Sequence, residues 1–305
     1  MDYSNLSSNI EIFARNVVEG FITGKHKSPY HGFSVEFAEH RLYNSGESTR
    51  HIDWKLFART NKLFNKRFEE ETNLRCQIII DASSSMYYPL RKKITLNTPN
   101  KLLFSVYASA VLINLLKRQR DAVGLSVYTD SLEVHTPNKT TQRHNRILYN
   151  ELDKLLLKNP INSPQLTNAN NVLHKISELL KKRSLVAIFT DFIDPNRSLD
   201  LLFEPYKHLK YNKHEVILFY LYESKTEQNL EFENRSYKFI DLESQEEIKI
   251  NPLNYKKKYQ QQTDSFLRKL KLKCVQYKID FIEVDINKGF DNIINTYLLK
   301  RQKMF

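Results

Sequence analysis

Apolar and polar positions change their rhythm near residue 76. From Cys76 onward, short apolar runs alternate with longer amphipathic stretches. Residues 76–81, Val123–Thr129, Leu185–Asp191, Glu215–Tyr222 and Asp280–Asp285 read as strands. Runs of this length that are apolar at nearly every position belong to strands covered on both faces. Leu132–His135 is expected to turn back on Val123–Thr129 as an antiparallel edge. Helical spacing predicts a helix over about 99–119, with Leu102, Leu103, Val106, Ala110, Ile113 and Leu116 on its buried side. Further helices are predicted over about 142–157, 169–182, 198–210 and 253–277, and a last one closes the chain. Residues 230–250 read as two or three short strands, a small β element inserted before the long polar helix. Strands alternating with helices predict an α/β fold, a mostly parallel sheet with helices on both faces.

The first 75 residues follow a different pattern. Residues 6–24 form an amphipathic helix with Ile10, Phe13, Val17, Val18 and Phe21 on one side, ended at Gly24. Residues 25–75 are dense in aromatics, histidine and alternating charge. His31–Tyr43 alternates like an exposed strand, Gly46–Arg50 is a turn, residues 52–59 suit a short helix carrying Trp54, and residues 63–71 read as a strand. The expected organisation is an N-terminal helix and β extension over 1–75, packed on a core domain over 76–305.

Composition narrows the class. A chain of 305 residues with 41% hydrophobic and 12% aromatic content can bury a large core. Six glycines argue against a Gly-rich phosphate cradle. Cys76 and Cys274 cannot make a disulfide framework or a four-cysteine metal site, and suit buried thiols in a reducing compartment. No apolar run approaches the roughly 18 residues of a spanning helix. The N-terminus lacks a basic segment followed by an apolar one, so a cytoplasmic protein is expected. The net charge is +12, and residues 76–305 carry 36 basic against 25 acidic side chains. The excess is scattered over Lys117-Arg118, Lys181-Lys182-Arg183, Lys256-Lys257-Lys258 and residues 268–273. Such a balance suits an acidic protein partner, an anionic membrane surface touched peripherally, or nucleic acid. No basic–aromatic motif of the nucleic-acid readers is present, so nucleic acid is not expected.

The chemistry concentrates where the strand over 76–81 ends. Asp81, Ser83 and Ser85 follow it with the spacing D-x-S-x-S. All three offer oxygen, the donor preferred by hard cations such as Mg²⁺. A second apolar strand ends in Asp191, and Thr167 precedes a predicted helix between the two. In a parallel sheet both acids fall on the carboxyl edge, where ligands of open α/β sheets sit. Asp81, Ser83, Ser85, Thr167 and Asp191 can therefore converge. Two serine hydroxyls are neutral ligands, and an ion held by them keeps most of its charge. The same Asp and Ser residues also read as a turn and a helix N-cap, which need no ion.

D-x-S-x-S, a later Thr before a helix and an Asp closing a later strand resemble the metal-ion-dependent adhesion site (MIDAS) of von Willebrand factor A domains. The stretch from Ser28 to Arg41, then Arg50-His51-Ile52-Asp53-Trp54-Lys55 and Ala58-Arg59-Thr60, resembles the bacterial domain-of-unknown-function family 58. Phe239–Glu243 and Tyr297–Arg301 extend the likeness over nearly the whole chain. The resemblance implies a von Willebrand A-like, doubly wound sheet that works beside MoxR-type AAA+ ATPases as an adaptor or scaffold. It implies that Ser83 and Ser85 bind the cation directly, and Asp81 directly or through water. Thr167 would bind directly or through water, and Asp191 would orient the ion's waters. The resemblance implies Mg²⁺ as the cation, with Mn²⁺ or Ca²⁺ as alternatives. Gln165-Leu166 stand where von Willebrand A domains often carry glycines.

His31, His40 and His51 do not have zinc spacing. Arg50, Asp53, Trp54 and Arg59 are expected to form an ion-paired hook for the N-terminal strands, or a partner surface. His135, His144, His174 and His214 read as isolated. A phosphoryl-transfer enzyme is the competing class, but the position two residues after Asp81 is Ser83 rather than a second acid. There is no G-x-x-x-x-G-K-[ST] loop and no G-x-S-x-G elbow. The expectation is a non-enzymatic, Mg²⁺-dependent protein-binding module whose ion is completed by a partner carboxylate. A basic-surface binder of membranes or nucleic acid is the remaining alternative.

Overall fold

The computed structural model describes residues 9–24, 40–42, 54–66, 74–91, 94–157, 169–181, 183–191, 199–242 and 245–304. They fall into two units, one made of the first 24 residues with 74–305 and the other of residues 25–73.

In the second unit, β1 (His40–Leu42) pairs antiparallel with β2 (Phe64–Lys66), and α2 (Trp54–Thr60) lies between them in sequence.

The main unit opens with α1 (Ile10–Gly24), capped by the Asn9 carboxamide, which accepts the Glu11 and Ile12 amides at 2.9 and 3.3 Å. Ile10, Phe13, Ala14, Val17 and Val18 are buried. Their i, i+3, i+4, i+7, i+8 spacing makes one continuous stripe. That stripe packs on α3 (Lys101–Arg118), with the Phe13 ring meeting Tyr107 edge-on at 4.8 Å. Lys117 and Arg118 reach back to Glu11 and Glu19. The helix at the start of the chain thus belongs to the same core as α3.

The sheet is built from β3 (Arg75–Asp81), β4 (Ala122–Tyr128), β5 (Leu132–His135), β6 (Leu185–Thr190), β7 (Glu215–Tyr222) and β10 (Asp280–Asp285). Their order is β10-β7-β6-β3-β4-β5, parallel except for β5, which runs antiparallel at the edge as its sequence predicts. The chain winds outward from β3 in one direction, then returns to β6 and winds outward in the other. The topological switch point therefore lies between β3 and β6.

Helices cover both faces, as the strand–helix alternation predicts. One face carries α1, α3, α4 (Gln142–Leu157) and α8 (Asp291–Met304) against Cys76, Ile78 and Ile80. The other carries α5 (Ala169–Leu179), α6 (Leu199–Tyr211) and α7 (Pro252–Gln276) around Ile79, Ile188 and Leu218. The alternation of Ile78, Ile79 and Ile80 between the two clusters is the period of two of a strand buried on both sides. The inserted β element is an antiparallel hairpin, β8 (Tyr237–Ile240) with β9 (Glu247–Ile250), in the connection from β7 to α7. Among the described residues, no helix is long and apolar enough to cross a membrane.

Candidate metal centre

The two strands that flank the switch point end in the two acids singled out from the sequence. Asp81 is the last residue of β3, and Asp191 follows the last residue of β6. Both are buried, at 4% and 2% exposure. Asp81 is held from both neighbouring strands. Its Oδ2 accepts the Thr190 hydroxyl at 2.8 Å from β6 and the Tyr128 hydroxyl at 3.1 Å from β4. Its Oδ1 accepts the Ser83 amide at 3.0 Å, a local turn that throws the chain off the strand.

Past this turn comes a single 3₁₀ turn, Ser84–Tyr87, closed by the Met86 amide on the Ser83 carbonyl. It brings the Ser83 and Ser85 hydroxyls to 3.1 Å from one another. Neighbouring oxygens of an octahedral Mg²⁺ shell, each about 2.1 Å from the ion, are about 3.0 Å apart. The two hydroxyls thus already stand at the separation that adjacent ligands of Mg²⁺ require, and the donor set fits a hard cation. The turn reading of these residues is met in part: the Asp81 carboxylate does hold the Ser83 amide, but Ser83 makes no side-chain cap for the turn that follows it.

Burial, and after it the facing Asp191 carboxylate, pushes Asp81 up to about 6. The hydrogen bonds from Ser83 and Thr190 act the other way, and among the described residues Asp81 has no direct ion pair with a cationic side chain. A dication at this edge would supply a positive charge.

Asp191 has found its cation inside the protein. Lys101, the first residue of α3, is completely buried, and its Nζ donates to Asp191 Oδ2 at 2.8 Å and to Glu227 Oε1 at 2.7 Å. Burial alone would lower the ammonium's pKa; the two carboxylates outweigh it and hold Lys101 above its usual range. Glu227 is raised, chiefly by burial, with Lys101 opposing. Glu227 belongs to a π-helical turn, Ser224–Gln228, that follows β7. Neither Lys101 nor Glu227 was selected from the sequence. A lysine at the head of a helix reads as a solvated end, and only its position before a helix apolar on every side hinted that it had no route to water.

Thr167 lies outside the described residues, as do Arg50 and Asp53. Trp54 is 61% exposed, its ring edge-on to Phe57, and Arg59 is exposed as well. The centre therefore joins Asp81, Ser83, Ser85 and Asp191, with Lys101 on Asp191. Among the described residues, no three His, Cys, Asp or Glu side chains gather as a metal cage. His174, read as isolated, lies 3.1 Å from His208 across the α5–α6 contact, ring nitrogen to ring nitrogen. His144 and His135 are absorbed by the Val123 carbonyl and the Ser126 hydroxyl, and His214 meets the Ser184 amide.

Comparison with known proteins bears on the centre only through the family. The profile of a family described as "Protein of unknown function DUF58" matches residues 39–265. Uncharacterized protein Rv1480 of Mycobacterium tuberculosis is 20% identical over 186 residues, covering 61% of this chain and 56% of that one. The chain thus spans about half the length of the curated relatives it matches. Among solved structures, the conserved hypothetical protein BatB of Bacteroides thetaiotaomicron is similar at a TM-score of 0.45 and 13% identity, over 75% of this chain and 99% of that one. An aerotolerance-related membrane protein of Bacteroides fragilis is similar at 0.45 and 12%, over 74% and 99% of the two chains.

Proposed function

The chain belongs to the DUF58 family of proteins of unknown function, and from that premise we propose that it is a non-enzymatic, Mg²⁺-dependent protein-binding adaptor. The fold is read as von Willebrand A-like, and the site as a MIDAS-type centre. The observation that carries this reading is the pair of serine hydroxyls 3.1 Å apart beside a buried Asp81 at the switch point. Asp81, Ser83 and Ser85 would hold the cation, with Thr167 as a fourth contributor and Asp191 orienting its waters. Bound there, Mg²⁺ supplies a positive centre that hydroxyl ligands leave incompletely neutralised, and Mn²⁺ or Ca²⁺ can take its place. A carboxylate from a partner protein completes it.

The partner proposed is a MoxR-type AAA+ ATPase or an acidic protein that it acts on, in complex assembly or envelope-related maturation, with the adaptor in the cytoplasm. The acid that a phosphotransferase would need two residues beyond Asp81 is a buried serine, Ser83, which favours capture over turnover. The test is co-purification from the native cell with Mg²⁺ present. An ATPase of this class should come down with the wild type, and be lost with EDTA and with Asp81→Ala or Ser83→Ala. Retention of the partner under all three conditions would sink the proposal. Phosphatase turnover abolished by Ser83→Ala would replace it with the enzymatic class.

A further inference from the structure

We propose that Lys101 is a built-in counter-cation that sets how tightly the centre holds a divalent ion, and that Glu227 positions it. This rests on the cation-centre reading above. It adds to that reading a control that comes from the Ser224–Gln228 turn.

Lys101 is placed from three directions. Its backbone amide donates to the Tyr88 carbonyl at 3.0 Å, just past the serine turn, and the Asn100 carboxamide caps its helix through the Leu103 amide at 2.7 Å. Its ammonium is out of contact with water, and the two hydrogen bonds it makes are both to carboxylates. An ammonium fixed on Asp191 does two things. It cancels a negative charge that would otherwise attract a dication, and it occupies one of the oxygens that could turn towards the ion's waters. In a buried setting a unit charge acts over several ångströms with little screening.

Glu227 shares that ammonium, so its placement governs how fully Lys101 is committed to Asp191. Glu227 is itself held by the turn. Its Oε2 accepts the Glu223 amide at 2.8 Å, and its backbone carbonyl accepts the Tyr259 hydroxyl from α7 at 2.8 Å. Thr226 in the same turn meets the Tyr88 hydroxyl at 2.5 Å and donates to buried Glu223 at 2.8 Å. The turn, the helix α7 and the serine loop therefore converge on one ammonium. Anything that shifts the turn moves charge at the centre. By thermodynamic reciprocity an ion at the centre biases the turn in return.

The experiment is a Mn²⁺ titration read by electron paramagnetic resonance of the free ion. It is run on the full chain as wild type, Lys101→Met, Lys101→Arg, Glu227→Gln and the double variant Lys101→Met/Glu227→Gln, with circular dichroism confirming the fold. Lys101→Met should bind Mn²⁺ about tenfold more tightly, and Lys101→Arg should stay within about twofold of wild type because the charge is kept. Glu227→Gln should weaken binding severalfold, and that effect should vanish in the Lys101→Met background. A folded Lys101→Met with unchanged or weaker affinity overturns the inference while leaving the cation centre standing. An undiminished Glu227→Gln effect without Lys101 also overturns it. If Lys101→Met does not fold, wild-type affinity in Glu227→Gln overturns it, and weakened affinity with Lys101→Arg near wild type supports it. Tight binding by Lys101→Met alone, with none by wild type, supports the inference and removes the proposed function. No binding by any of the proteins overturns both.

Discussion

Asp81 is a residue whose protonation the fold disturbs at this edge, and the sign of the effect is testable. Its folded value is raised from 3.8 to about 6. Its contribution to stability is therefore fully present below about pH 4 and is lost as the pH rises through about 6. A displacement of this size corresponds to about 3 kcal/mol. In EDTA, wild type should lose about that much stability between pH 4 and 7 relative to Asp81→Asn, read as the difference between their chemical unfolding curves. Mg²⁺ at pH 7.5 should restore stability to wild type and not to Asp81→Asn. Gly124 in β4 offers a second test. A Cβ there would collide with the Gln77 side chain and lie 2.6 Å from the Thr136 carbonyl. Gln77 is locked by Ser126 and Asn138, so it cannot step aside. Gly124→Ala should cost about 1–3 kcal/mol, measured as a fall in thermal midpoint. Asp81, Ser83, Ser85 and Asp191 were legible because an acid that ends an apolar strand has few other places to be. Lys101 and Glu227 were not. Their partnership spans 126 residues and depends on where one turn comes to rest.

Among the elements, the strands were the most legible, because burial on both faces writes itself as an unbroken apolar run. Glu215–Tyr222 and Asp280–Asp285 have the predicted limits, and the two or three short strands expected over 230–250 are the two of the β8–β9 hairpin. The partner of α1 was not legible, because a helical stripe declares that a face is buried without saying against what. Nor was the fastening of α8. Buried Asp121 accepts Arg301 Nε at 2.9 Å and Nη2 at 3.1 Å, the Tyr297 hydroxyl at 3.1 Å and the Leu74 amide at 3.1 Å. One carboxylate thus pins the last helix to the point where β3 begins. This gives the Tyr297–Arg301 stretch a physical role in the fold. Asp121→Ala strands a half-buried guanidinium and a backbone amide, and should cost about 3–5 kcal/mol in urea unfolding. Asp121→Asn, which keeps one acceptor, should cost less.

For the molecule as a whole, the charge of +12 is a long-range property. If the partner is acidic, its association rate should fall roughly tenfold on raising salt from about 0.05 to 0.5 M, with a much smaller change in the dissociation rate. Stopped-flow mixing of labelled proteins measures both. A rate indifferent to salt would mean that the basic surface plays no part in the encounter. The main unit is also interrupted in sequence, because α1 packs on α3 while residues 25–73 form a unit of their own. This ordering has a consequence for synthesis. The apolar stripe of Phe13, Val17 and Val18 leaves the ribosome well before the α3 surface that covers it. At about 5–20 residues per second, the wait for α3 is about 4–20 s. During that interval the intervening unit is free to form, and the first helix is a target for any chaperone that recognises a short amphipathic segment. The nascent chain is thus most exposed to aggregation early, before α3 and the sheet strands that follow it have emerged.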